Sequence, residues 1–432
     1  MNTPAEILSS AQMAFVSERY EETINLCQKV IADNPTNTDA FVLAGNASLA
    51  LNSFTKAEEY FQKAAELEPK IGEHYFNLGN SLFGQQRLSE AAQQYAKAIQ
   101  LGCKDEVMQR LYYLVGTINQ IQGKNDEALI NYEKSDSIPC TNVDYAEMLL
   151  KKVQIYVEQN DLEKAETCAL QLKLLVPSEF KSYQLLFQLY LEQSKLLEAS
   201  RTLDEAVKYC EKDAEIETEI SFDKAMLCCF QAEQTKSIDQ QKDYYNSAIN
   251  ILSEIIDAEY ADESDKIEAI ITKAELYIKL GQYEKAIELA ESISQESRSE
   301  LIEYVDRARY ILVRSFSNKN QFSDVQRYAR MLKESENLFY RHYGYYAEAY
   351  AEKQLSSLSP DGREKYLNLY NYAIAYYKNC TISVPGDFLA YLFRAKCYVD
   401  IGKFDKAEEI GKILPKDSQK ALQEYINQER RG

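Results

Sequence analysis

Tryptophan is absent from this 432-residue chain, histidine occurs twice, and glycine (14) and proline (8) are scarce. Each shortage excludes something. Every aromatic position must be filled by Tyr or Phe. His74 and His342 lie far apart in the sequence, so no histidine-based metal or nucleophile site is expected, and both are read as surface or groove residues. Few helix breakers, with abundant Ala, Glu, Lys, Leu and Gln, favour helix, because these side chains lose little rotamer freedom there. No apolar run approaches the ~20 residues that a membrane span needs. Met1 to Tyr20 shows no basic region followed by an apolar stretch, so no secretory signal is read. The nine cysteines have no C-x-x-C spacing. Most fall at helix-core positions, which points to reduced thiols and a cytoplasmic setting. Neither a G-x-x-x-x-G-K-[ST] phosphate loop nor G-x-G-x-x-G nor G-x-S-x-G occurs. No cofactor, metal or catalytic residue is expected.

Basic charge is also in short supply. The net charge of −19 argues against a general nucleic-acid binder, which needs a basic surface to displace counterions. The charge is uneven. Residues 1–210 carry 19 basic and 29 acidic side chains, residues 211–300 carry 9 and 22, and residues 301–432 carry 21 and 17. An acidic middle and a mildly basic end can steer charged partners to different places.

What is present is a period. Phe41, Ala44, Gly45, Ala57, Phe61, Ala64 and Pro69 form one frame. Tyr75, Leu78, Gly79, Ala91, Tyr95 and Ala98 repeat it 34 positions later. Apolar residues at positions 4, 7, 8 and 11 share one face of a helix, and small residues at 8, 20 and 27 let helices approach closely. The pattern resembles the tetratricopeptide repeat. That resemblance implies an all-α, right-handed α-solenoid superhelix of about eleven helical hairpins, with a C-terminal capping helix over Ser418–Gln428. Frames 2, 3, 8 and 11 match best. Gly281-Gln282-Tyr283 and Gly402-Lys403-Phe404 mark tight turns, and Asp161 is a candidate N-cap. Frame 7 is irregular, with helices around Ala214–Glu233 and Tyr244–Leu252 and a lengthened turn between them. In frame 10, Ser356–Arg363 reads as a turn with Pro360-Asp361-Gly362 as the breaker. The expected division is a regular array over 1–211 and a less regular array over 212–432, with frame 7 as an extended joint and a cut near Lys212 expected to leave two soluble halves.

In this family the first helices of successive hairpins line a concave groove. The resemblance therefore implies a non-enzymatic scaffold that binds an unidentified peptide or extended protein segment there, with no nucleic acid and no membrane insertion. The alternatives are an assembly or regulatory protein acting through its convex face or self-association, or a co-chaperone-like adaptor. A carboxylate clamp known in the family would use Asn46, Asn77 and Arg110, with Asn80 beside them. Val42 and Leu114 stand where that clamp has cations, which weakens charge-assisted capture of a double carboxylate. A second candidate comprises Arg307, Tyr310 and Arg314 on one first helix and Arg341 and Tyr345 on the next, residue types enriched at energetic centres of interfaces. The competing reading pairs those arginines with Glu268, Glu275 and Glu348. Tyr343, Ala347 and Tyr350 are assigned to packing, and Tyr345 and Tyr346 to a partner.

Overall fold

The computed structural model describes residues 3–139, 145–210, 213–296, 298–356, 360–384 and 386–431. Among them it contains 23 α-helices, one short 3₁₀ turn at Ser299–Leu301, and no strand. The chain forms two compact units, residues 1–193 and 194–432.

The first unit holds α1 (Pro4–Val16), α2 (Tyr20–Asp33), α3 (Thr38–Ala50), α4 (Phe54–Leu67), α5 (Gly72–Gly84), α6 (Leu88–Leu101), α7 (Asp105–Ile121), α8 (Asn125–Asp136), α9 (Tyr145–Glu158), α10 (Leu162–Leu175) and α11 (Phe180–Glu192). Each helix packs on the next, and α3 and α5 also touch the first helix two places back, as does α7. The close approach read from the spacing has a specific cause. A Cβ at Gly79 would lie 2.4 Å from the Tyr95 ring, and one at Gly116 would lie 2.6 Å from the Tyr132 ring. The aromatic of the second helix therefore fills the space left bare on the first. Tyr95 and Tyr132 are both fully buried, and their hydroxyls find acceptors on Asn80 and Gln120, each at 2.9 Å. A buried ring with a satisfied polar tip keeps its hydrophobic gain without a desolvation cost.

The turn inside most hairpins uses one residue in the left-handed region. Gly281 and Gly402 supply it where the sequence marks a tight turn, with φ of 71° and 74°. Elsewhere Asn52, Gln86, Asn160 and Asn320 take the same conformation, with φ from 54° to 60°. This is how so few glycines serve so many turns, at a steric cost that Asn tolerates best. Asp161 caps α10 as expected, accepting from the Lys164 amide at 3.3 Å.

The second unit holds α12 (Leu196–Tyr209), α13 (Ala214–Gln234), α14 (Ile238–Asp257), α15 (Glu263–Lys279), α16 (Tyr283–Ser294), α17 (Ile302–Asn318), α18 (Phe322–Leu332), α19 (Leu338–Ser356), α20 (Pro360–Ser383), α21 (Phe388–Asp400), α22 (Phe404–Gly411) and α23 (Lys416–Glu429). Two expectations change here. Frame 7 is irregular because α13 and α14 are long, 21 and 20 residues. The connection between them is only 235–237, so its turn is not lengthened. In frame 10, Pro360 opens α20 and Asp361 and Gly362 lie in its first turn. Proline is well suited to the first helical position because its missing N–H has no intrahelical partner there. Residues 357–359 of the expected turn, and Lys212 at the expected cut, lie outside the described residues.

Both histidines are buried, not on the surface. His74 Nε2 lies 3.0 Å from Glu68. His342 is fully buried between the Asp387 carboxylate at 2.9 Å and the Tyr376 hydroxyl at 3.1 Å. The second unit has one further buried polar centre. Asp400, at the end of α21, accepts from Tyr370 of α20 at 2.9 Å and from Tyr425 of α23. Tyr346 of α19 lies 3.4 Å from the Tyr425 hydroxyl, and Lys353 donates to the Asp400 carbonyl at 2.9 Å. Burial raises the Asp400 pKa despite these donors. The expected capping helix is α23, which packs on α21 and α22.

Candidate functional site

In the first unit α1, α3, α5 and α7 touch in succession, and in the second α15, α17, α19 and α21 do, so residues at matching places on these first helices share a face. In the first unit, α3 carries Asn46, α5 carries Asn77 and Asn80, and α7 carries Arg110. Asn80 accepts the Tyr95 hydroxyl. Asn46 and Asn77 are half-buried and make no side-chain hydrogen bond among the described residues. Arg110 is exposed and in no ion pair among them.

Farther along, α9 and α11 enclose a groove of about 240 Å³. Leu150, Val153, Val157, Leu185 and Leu189 line it, and Gln154, Gln188, Glu158 and Glu192 edge it. The sequence reading missed this groove, because apolar residues on a helical repeat look like core. The available signal was Leu150 and Leu185, which stand at groove-facing positions of their first helices. Asn46, Asn80, Gln154 and Gln188 each directly follow the small or core position of their first helix. That row of carboxamides offers both donors and acceptors, and therefore suits a peptide backbone whatever its side chains.

In the second unit the same face is charged and already engaged. Arg307 of α17 donates to both Glu268 oxygens of α15 at 2.8 and 2.6 Å, and to Glu275 at 3.3 Å. Burial opposes the Arg307 charge, but the two carboxylates outweigh it and raise its pKa. Glu348 does not pair with the predicted arginines. It accepts from Arg330 at 2.7 Å and Lys333 at 2.8 Å. Arg341 donates to the Ser335 carbonyl at 2.6 Å. Tyr310 packs among Phe339, Tyr340 and Tyr343, with ring centroids 5.4, 5.9 and 4.7 Å away. Tyr345 stacks on Tyr376 at 3.9 Å, with Lys333 4.8 Å from its ring. Tyr346 packs on Phe393 and on Tyr350. Arg314 alone of this group is exposed, its guanidinium 5.6 Å above the Tyr310 ring. The structure thus gathers Tyr310 and Arg314 together and ties Arg307, Arg341 and Tyr345 to other parts of the unit. Lys396, the residue at the matching place on α21, is held below the usual lysine range by burial.

Comparison with known proteins follows the same period. Family models described as tetratricopeptide repeat match residues 42–106 and 267–292. Among curated proteins, "Hsp70-Hsp90 organizing protein 1" of Glycine max is 32% identical over 95 residues, 22% of this chain and 15% of that protein. "Small glutamine-rich tetratricopeptide repeat-containing protein 2" of Mycosarcoma maydis is 25% identical over 105 residues, 24% of this chain and 30% of that protein. The matches thus span less than a third of either relative. Among solved structures, the C-terminal part of a TPR repeat-containing protein from Cytophaga hutchinsonii aligns at TM-score 0.46 and 14% identity, covering 61% of this chain and 98% of that one. YrrB, described as a TPR protein with an unusual peptide-binding site, aligns at TM-score 0.36 and 18% identity, covering 42% and 91%. No described helix is long and apolar enough to cross a membrane.

Proposed function

This chain is a tetratricopeptide-repeat protein, and we propose that it is a non-enzymatic cytoplasmic scaffold that holds an extended segment of another protein along the first-helix face of its first unit. Such repeats generally mediate protein–protein interactions. The observation that carries the reading is the uncommitted state of that face. Asn46, Asn77 and Gln188 have no internal hydrogen-bond partner among the described residues, and they lie on the same run of helices as an apolar groove. Carboxamides would hold the backbone of the segment, and the α9–α11 groove would take one or two aliphatic side chains. Arg110 is an exposed cation of the first unit for an acidic residue of the partner. The co-chaperone reading is less well supported, since Val42 and Leu114 remove two cations that a double carboxylate needs.

A photo-crosslinking residue at position 188 tests this. Partners captured from the native host are identified, and the crosslinked segment is synthesised and titrated against purified protein. Leu185→Glu should weaken that segment at least tenfold while the unfolding midpoint stays within about 2 °C, because Leu185 is half-buried at the groove wall. Unchanged affinity in that variant would move binding to another face. The convex-face alternative predicts a self-associating species indifferent to Leu185→Glu.

A further inference from the structure

The last hairpin carries a second, chemically different pocket, away from the first-helix face. It measures about 320 Å³ and is lined by Tyr391, Arg394 and Tyr398 of α21 with Lys406, Glu409, Ile410 and Ile413 of and just after α22. Tyr391, Arg394 and Tyr398 share one face of α21 at helical spacing, as do Lys406, Glu409 and Ile410 on α22. The Arg394 guanidinium is 6.0 Å and the Lys406 ammonium 5.6 Å from the same Tyr398 ring.

Two facts set these cations apart. Neither forms an ion pair or hydrogen bond among the described residues, in a chain where acidic side chains outnumber basic ones by 68 to 49. Arg394 Nε is buried and has no acceptor among the described residues. A buried N–H without an acceptor forgoes the hydrogen bond it would make in water, and the loss is greater on a charged group. Glu409, one turn from Lys406, lines the pocket without pairing to either cation.

We propose that this pocket binds a carboxylate attached to an aliphatic group, supplied by a partner polypeptide as a chain end or an acidic side chain beside an apolar residue. The Arg394 fork fits a carboxylate in two-point contact, and Tyr398 holds that fork in place. Two cations against one Glu409 leave one net positive charge, which matches a monoanion and disfavours a phosphate dianion. Ile410, Ile413 and Tyr391 form the wall for the attached hydrocarbon. Ile413 is half exposed in the free protein, so its burial adds to the gain.

The test titrates the full-length protein with N-acetylleucine, N-acetylleucinamide and inorganic phosphate, following arginine Nε–H resonances and heat. The carboxylate should bind in the millimolar range and shift one arginine signal that disappears in Arg394→Gln. Lys406 is exposed, so Lys406→Gln keeps the fold and should weaken binding about five- to tenfold. Glu409→Gln removes the opposing charge and should tighten binding several-fold, a gain that a merely structural role would not give. Equal binding of the amide, or carboxylate binding indifferent to both Lys406→Gln and Glu409→Gln, overturns the proposal. Phosphate binding ten times tighter than N-acetylleucine overturns its carboxylate selectivity. A chain-end source is told from a side chain by comparing acetyl-Ala-Leu with acetyl-Asp-Leu-amide: the free chain end binding better assigns the former, and the Asp peptide the latter.

Discussion

The two units share one helical plan and use its inner face in opposite ways. At the place after the small or core position of the first helix, the first unit carries Asn46, Asn80, Thr117, Gln154 and Gln188, and the second carries Glu275, Arg314, Glu348 and Lys396. The neutral row leaves Asn46 and Gln188 without internal partners, and the charged row is largely engaged with its own neighbours. The difference teaches that the more conspicuous residues are not the more available ones. Arginines and tyrosines drew the sequence reading to the second unit, where they hold long, irregular helices together. Among the plainer amides of the first unit, Asn46, Asn77 and Gln188 have no internal hydrogen-bond partner among the described residues.

Truncation breaks the comparison most severely. The compact units divide at 193/194, and the sequence division at 211/212 assigns α12 to the other side. Leu203 and Ala206 of α12 are buried, and α12 packs on α13. Fragment 194–432 is expected to unfold cooperatively and remain monomeric, whereas 212–432, lacking α12, should aggregate through uncovered α13. Sedimentation and thermal melts decide, and a well-behaved 212–432 would restore the sequence boundary.

Charge reversal comes next. Arg307→Glu would set a third carboxylate beside Glu268 and Glu275 in a largely buried place, costing about 3 kcal/mol in the second unit alone. Arg314→Glu, on an exposed side chain, should cost under about 1 kcal/mol. Hydrogen exchange resolved by helix would locate the loss to α15 and α17. Equal effects from the two reversals would contradict the assigned pairing. A single methyl probes the other unit: Gly79→Ala drives a Cβ into the Tyr95 ring and should cost about 1–3 kcal/mol, confined to α5 and its neighbours.

The last effect depends on pH. Asp223 of α13 is buried with one oxygen lacking a donor among the described residues, and burial, with Glu219 adding to it, raises its pKa to about 7. A carboxyl raised in the folded state binds its proton more tightly there than when unfolded. Its presence therefore costs nothing below pH 4 and progressively more as pH rises to 7. Asp223→Asn should match wild type at pH 4 and be more stable at pH 7.5, by up to about 4 kcal/mol for a shift of that size. A pH-independent difference would show that the carboxyl is ionised throughout.

The fold was legible because its determinants are local. Gly79 and Tyr95 lie within one hairpin, and their spacing recurs in the next frames. The engagements of Arg307 and His342 were harder to read, because they join residues on different hairpins. Glu268 lies 39 positions from Arg307, and Asp387 lies 45 from His342. Pairing with Glu268 and Glu275 was foreseeable from register, but Glu348 was not, since its partners Arg330 and Lys333 come from a second helix. The α9–α11 groove stayed hidden because a leucine facing a cleft and a leucine facing a core are the same letter.

The Asp400 centre has a consequence for the order in which the second unit comes apart. An array of hairpins ordinarily unravels from its ends, since a terminal helix has neighbours on one side only. Here the last helix is tied through Tyr425 to a buried carboxylate that also takes the hydroxyl of Tyr370 from α20. Peeling α23 away would strand that carboxylate before most apolar contacts are lost, so α23 is clasped and should fray late.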